Sequence, residues 1–147
     1  MKVFITGASS GIGAALAAHY AARGAQLGLV ARREEALAEV ARTLPGSPAC
    51  YLADVADAQA MQDAARDFMA RFGVPDIVIA NAGVSVGTLT EHAEDIEVFG
   101  RVMQTNVVGL AATFHPFVAP MREARRGRLA GIASVAGMRG IPGAGAY

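Results

Sequence analysis

Gly7, Gly11 and Gly13 are spaced G-x-x-x-G-x-G, with Ser9 and Ser10 inside the first interval, and this stretch is the chain's strongest candidate for chemistry. It follows the apolar run Val3-Phe4-Ile5 and opens an Ala-rich stretch from Ala14 to Ala22, so it reads as strand, glycine turn and helix. Gly7 permits a tight turn, and the bare backbone at Gly11 and Gly13 lets main chain approach a ligand and helix pack on strand. The first amides of the helix have no intrahelical partners. With the helix dipole they form an anion site suited to a pyrophosphate, to which Ser9 and Ser10 add hydroxyl donors. A phosphate loop of the nucleotide-hydrolase type has the spacing G-x-x-x-x-G-K, which Ile12 after Gly11 does not meet, so that class is excluded. A site for NAD(H) wants a carboxylate about 20 residues beyond the turn to bind ribose hydroxyls, whereas an arginine there suits a 2′-phosphate. The chain has Ala31-Arg32-Arg33 at that point. The guanidinium fork of Arg32 favours NADP(H) over NAD(H), with Arg33 either a second charge or simply the start of the next helix.

Alternating strand and helix signals position these residues. The first strand is expected over Lys2 to Thr6. Its helix sets Ile12, Leu16 and Tyr20 on one face, leaves His19 solvated and stops at Gly24. A second strand, Gln26 to Val30, precedes a helix over Glu34 to Leu44 with Leu37, Val40, Ala41 and Leu44 inward, ended by Pro45-Gly46. The third strand runs from Ala49 to Ala53. Asp57 then caps a helix whose apolar face is Met61, Ala65, Phe68 and Phe72, closed by Gly73 and Pro75. Strand four, Asp76 to Ala80, leads through a loop over Val84 to His92 into a long helix. That helix begins at Glu94 or Asp95 and continues through Ile96, Phe99, Met103, Val107, Leu110 and Phe114, and Pro116 and Pro120 should kink or end it. Asn106 is a poor interior helix residue, because its side chain competes for backbone groups, so it is either solvated or has a task. The basic run from Arg122 to Arg128 reads as a solvated face. Strand five, Leu129 to Ala133, ends at Ser134. This alternation predicts an α/β fold, a Rossmann-like doubly wound parallel sheet in the order 3-2-1-4-5, with ligands beyond the carboxyl ends of its strands.

The bulk properties bound the remaining choices. A chain of 147 residues with 53% hydrophobic content fits a single domain with a substantial core. A formal net charge of zero argues against nucleic acid or an anionic membrane as the main partner. No apolar run reaches the roughly 18 residues of a membrane span, and Met1-Lys2-Val3 enters the first strand without room for a signal peptide. Cys50 is the only cysteine, so a reducing cytoplasm is the expected location, with Cys50 a small buried apolar residue. No cluster with metal-ligand spacing is present.

Thr6-Gly7-x-x-x-Gly11-Ile12-Gly13 resembles the opening of the short-chain dehydrogenase/reductase family, and later segments carry the resemblance on. Asn81-Ala82-Gly83 looks like the family's turn after strand four. The resemblance implies that Asn81 braces the sheet while the backbone of Ala82 and Gly83 passes the cofactor's sugar. It implies that Asp54 contacts the adenine edge, that Val55 lines the ring pocket, and that Asn106 holds a water in a proton relay. Ser134 and Tyr147 resemble the family's Ser…Tyr pair, with Ser134 polarising a substrate carbonyl, Tyr147 moving the proton and the nicotinamide delivering hydride. A serine hydrolase does not fit, because Ser134 is outside G-x-S-x-G and His19, His92 and His115 lack the context of a triad partner.

A tyrosine's unperturbed pKa is about 10, and the family favours its phenolate with a lysine four residues later. The only lysine here is Lys2, at the far end of the first strand. The sequence therefore reads as residues 1–147 of a single NAD(P)-binding domain, a C-terminally truncated family member without the later strands. Strand five would be an unpaired edge with apolar surface beside it. The expected activity is interconversion of a small-molecule carbonyl and alcohol with NADP, in a homo-oligomer, with little turnover by this stretch alone. The alternative is a non-catalytic dinucleotide-binding module.

Overall fold

The computed structural model describes residues 1–89 and 91–147; Thr90, inside the predicted 84–92 loop, lies outside the described residues. Strand β1 (Lys2–Thr6) is the centre of a five-stranded parallel sheet. Its side chains alternate between two cores, as period-two geometry requires. Val3 and Ile5 face helices α1 (Gly11–Ala21) and α2 (Glu34–Thr43), joining Ala17, Ala21, Leu37 and Leu44. Phe4 faces the other side and joins Met61, Ala65, Phe68, Phe117 and Met121. Burial on both faces explains why β1 and β2 (Gln26–Ala31) read as continuous apolar runs.

With β3 (Ala49–Leu52), β4 (Ile77–Ala80) and β5 (Arg128–Gly131), the sheet order is β3-β2-β1-β4-β5, as the sequence predicts. Helix α3 (Ala58–Phe72) begins at Asp57, whose carboxylate accepts from the amides of Gln59 and Ala60 at 3.0 Å each, and ends at Gly73 in a positive-φ conformation. Asp76 precedes β4 and accepts the Lys2 amide at 2.8 Å, joining two strands at the amino end of the sheet.

Several expectations need correction. Ile12 does not pack with Leu16 and Tyr20; it is 59% exposed, and the buried stripe of α1 is Gly13, Ala17 and Ala21. Small residues let α1 sit close to the sheet, which rotates the larger Ile12 out of the core. Cys50 is exposed because β3 is an edge strand with an alternating burial pattern. Pro116 and Pro120 do not end the long helix. Helix α4 (Asp95–Met103) passes through a π-helical turn, Gln104–Val108, into α5 (Gly109–Ala124), which contains both prolines. Burial of Thr113, Phe117 and Met121 holds α5 in place despite two missing amide donors. Its end comes instead at Arg125 in the left-handed region. Within the basic run, Arg126 lies 3.7 Å from Asp76 and Arg128 begins β5.

Candidate functional site

A cleft of about 810 Å³ lies along the carboxyl rim of the sheet. One wall is the turn between β1 and α1, where Gly7, Ser9, Ser10 and Ile12 line the cavity. Gly7 and Gly11 adopt φ of 65° and 53°, a region costly for other residues. A Cβ on Gly13 would stand 2.1 Å from the carbonyl oxygen of Gly7, so only glycine lets the helix start this close to the turn. Gly11 has open space where its Cβ would be, so its positive φ rather than crowding is what favours glycine there. Among the assigned glycines, Gly7 and Gly83 line the cleft, while Gly11 and Gly13 shape the turn behind it.

Asn81 closes the turn from behind. Its Nδ2 donates to the carbonyls of Thr6 at 3.1 Å and Gly7 at 3.2 Å. The buried Thr6 hydroxyl accepts from the amides of Asn81 and Ala82 at 3.1 and 3.2 Å. Sequence reasoning missed this Thr6 contribution, for which its position between an apolar run and a glycine was the available signal.

At the end of β2, Arg32 Nη1 donates to Asp54 Oδ2 at 3.3 Å and Arg33 Nη2 donates to Ser10 Oγ at 3.4 Å. Arg33 thus reaches the glycine turn while Arg32 reaches the segment after β3, and both are exposed and line the cleft. Asp54 also accepts the Ala56 amide through Oδ1 at 2.9 Å, which fixes the carboxylate beside the buried Val55. Gly109 allows the close approach here, since a Cβ on it would meet Val55 Cγ2 at 2.6 Å.

Asn106 is not solvated. It sits in the π-helical turn, accepts the Val84 amide through Oδ1 at 2.9 Å and donates through Nδ2 to the Val84 carbonyl at 2.8 Å. The wide turn, in which the Gly109 amide bonds the Gln104 carbonyl, aims this side chain at the loop after β4. Ser134 follows β5 and accepts the Ala136 amide through Oγ at 3.2 Å, which leaves its own hydroxyl proton available. Tyr147 is 42% exposed. Asn106, Ser134 and Tyr147 line the same cavity as the arginines and the glycine turn, joined by Ser85 and Thr105, which sequence reasoning did not single out.

The remaining chemistry is sparse. Among the described residues no group of His, Cys, Asp and Glu could hold a metal ion, and no helix is long and apolar enough to cross a membrane.

Three comparisons bear on the cleft. A sequence profile of the family described as short chain dehydrogenase matches residues 1–147. "Dehydrogenase/reductase SDR family member 7B" of Mus musculus is 35% identical over 153 residues, an alignment covering 99% of this chain and 47% of that protein. The chain therefore spans about half the length of the curated relatives it matches. Among solved structures, a 3-ketoacyl-ACP reductase from Sinorhizobium meliloti superimposes with a TM-score of 0.92 at 34% identity, covering 100% of this chain and 60% of that one. An alcohol dehydrogenase from Thermococcus sibiricus, complexed with 5-hydroxy-NADP, gives a TM-score of 0.87 at 30% identity, covering 99% and 63% respectively.

Proposed function

The chain belongs to the short-chain dehydrogenase family, and we propose that its cleft serves NADP(H)-dependent interconversion of a carbonyl and an alcohol. The observation that carries this reading is the convergence of Gly7, Ser10, Arg32, Arg33, Asn81, Ser134 and Tyr147 on a single cleft at the carboxyl ends of the strands. One end of that cleft has the chemistry of a phosphate site and the other that of proton transfer.

The residues fit a 2′-phosphorylated dinucleotide. The turn at Gly7, the Ser9 and Ser10 hydroxyls and the first α1 amides would hold the diphosphate. Arg32 and Arg33, with no carboxylate at Ala31, would hold the 2′-phosphate. Asp54 and Val55 would border the adenine. The backbone of Ala82 and Gly83 would pass the sugar. When bound, the nicotinamide would supply or accept the hydride. Ser134, whose oxygen is already engaged as an acceptor, has its hydroxyl proton free to polarise a substrate carbonyl. Tyr147 would give its phenolic proton to the developing alkoxide, or take one in the oxidative direction. Asn106 spends its side-chain amide on Val84, so it shapes the wall of the cleft through that backbone. The family's use of NAD(P) and the NADP analogue in the Thermococcus sibiricus relative support this reading.

The test is fluorescence titration of the chain with NADPH and NADH, followed by hydride transfer to a panel of aldehydes and ketones. NADPH should bind tighter. Equal affinity for the two cofactors would overturn the NADP preference, and binding of neither would overturn the assignment.

A further inference from the structure

Thr88 is buried to 4% exposure in a loop after β4, yet it is polar and does not line the cleft. Its polar atoms all bind one distant segment. Its amide donates to the Gly143 carbonyl at 2.9 Å, its carbonyl accepts the Gly145 amide at 3.3 Å, and its Oγ1 accepts the Ala146 amide at 3.0 Å. The first two form an isolated parallel bridge to Ala144. Ala146 is itself buried, and it immediately precedes Tyr147.

We propose that Thr88 is a positioning residue for Tyr147, a proposal that rests on reading Tyr147 as the proton-transfer residue. The segment from Val135 to Tyr147 has little structure of its own: one short 3-10 turn over Val135–Gly137, then turns, with Met138 at 88% exposure. Such a segment would by itself leave the Tyr147 phenol poorly placed, and catalytic groups lose rate steeply when misplaced by about 1 Å. Thr88 fixes it with three hydrogen bonds. The anchor is in turn held at both sides. Val84 is paired with Asn106 on the long helix, and the Leu89 amide donates to the Asp95 carboxylate at the start of α4. Asn106 and Tyr147 are thus joined through one crosspiece, residues 84–89, so the long helix sets the place of the Gly143–Tyr147 segment. The hydroxyl is the specific element, because the other two bonds are backbone and survive substitution.

The experiment compares the unaltered chain with Thr88→Val and Thr88→Ser. Amide hydrogen exchange at Ala146 is read by NMR, together with the Tyr147 ring resonances. Valine keeps the shape but removes the acceptor, so Ala146 should exchange about tenfold faster, the scale of one hydrogen bond, and the Tyr147 ring signals should shift or broaden. Serine restores the acceptor and should return both towards the original values. Unchanged exchange and ring signals in Thr88→Val would overturn the proposal. So would an Ala146 amide in the unaltered chain that exchanges as freely as that of Met138, a measurement that stands even if Thr88→Val does not fold. Failure of the underlying oxidoreductase reading is separately visible as absence of NADPH binding by the unaltered chain, whatever Ala146 does.

Discussion

Arg32 and Asp54 illustrate how much a single ion pair decides. The guanidinium donates to the carboxylate at 3.3 Å, with 60% of the arginine side chain exposed. A solvated pair of this kind contributes little to stability, so on the proposed NADP(H) reading Arg32 would give up Asp54 for the 2′-phosphate at small cost. Arg32→Ala should weaken NADPH binding about tenfold, the lower end of the range for a charge-assisted hydrogen bond because the site is exposed. NADH binding should be nearly unchanged; equal loss for both cofactors in fluorescence titrations would contradict the 2′-phosphate role. Tyr147→Phe is the complementary change. It should leave NADPH affinity intact while abolishing whatever hydride transfer the unaltered chain performs, measured as NADPH oxidation with a reactive carbonyl. Cys50 carries a third prediction. Burial pushes its thiol above the ordinary value although the residue reaches solvent. Less thiolate is then available, so iodoacetamide should alkylate Cys50 more slowly than a cysteine in an unstructured peptide at the same mildly alkaline pH.

Strands and helices differ in how openly the sequence declares them. The five strands, their order and the capping of α3 by Asp57 follow from apolar runs and a short polar cap, which are local signals. The π-helical turn at Gln104–Val108 has no such signal, since one wide turn alters the register of a helix without changing its composition. Pro116 and Pro120 mislead for the opposite reason: the local penalty is real, but burial of Phe117 and Met121 outweighs it. The Thr88 contacts were illegible because they join residues far apart in sequence, 58 positions for the bond to Ala146, beyond any periodicity. At the site, the glycine turn and the arginines were legible from spacing, whereas the buried Thr6 hydroxyl and its partners became visible only in the fold. Element packing also makes its own prediction at Gly28 of β2. A Cβ there would stand 2.5 Å from Phe68 Cδ2 and 2.7 Å from Phe4 Cδ2. Those rings meet edge to face at 5.4 Å directly over the missing side chain. Gly28→Val must displace both and should cost about 1–3 kcal/mol, read as a lower urea midpoint. A variant as stable as the original would mean that the two rings have room to move.

The sheet as a whole is unevenly supported from its middle to its two edges. Val3, Phe4 and Ile5 of β1 are fully buried between the two helical layers, with a strand on either side. At one edge all four residues of β5 are exposed, and β4 is the one strand that pairs with it among the described residues. Ile132, Val135, Met138 and Ile141, on the segment that also carries Ser134, are exposed as well. Within residues 1–147, stability should therefore fall from β1 to β5, because the exposed residues of β5 contribute to neither core. Native-state hydrogen exchange gives the measurement. Amides of Val3 to Ile5 should exchange only through global unfolding, while those of Leu129 to Gly131 should exchange at least about tenfold faster and lose their protection at lower urea. The consequence for the site is directional. Opening of β5 would displace Ser134 but leave the glycine turn, Asn81 and the arginines in place, so mild urea should abolish any carbonyl reduction before it abolishes NADPH binding. Coincident loss of both, together with equal protection in β1 and β5, would instead show that the sheet opens as one unit and that the glycine-turn end has no independent support.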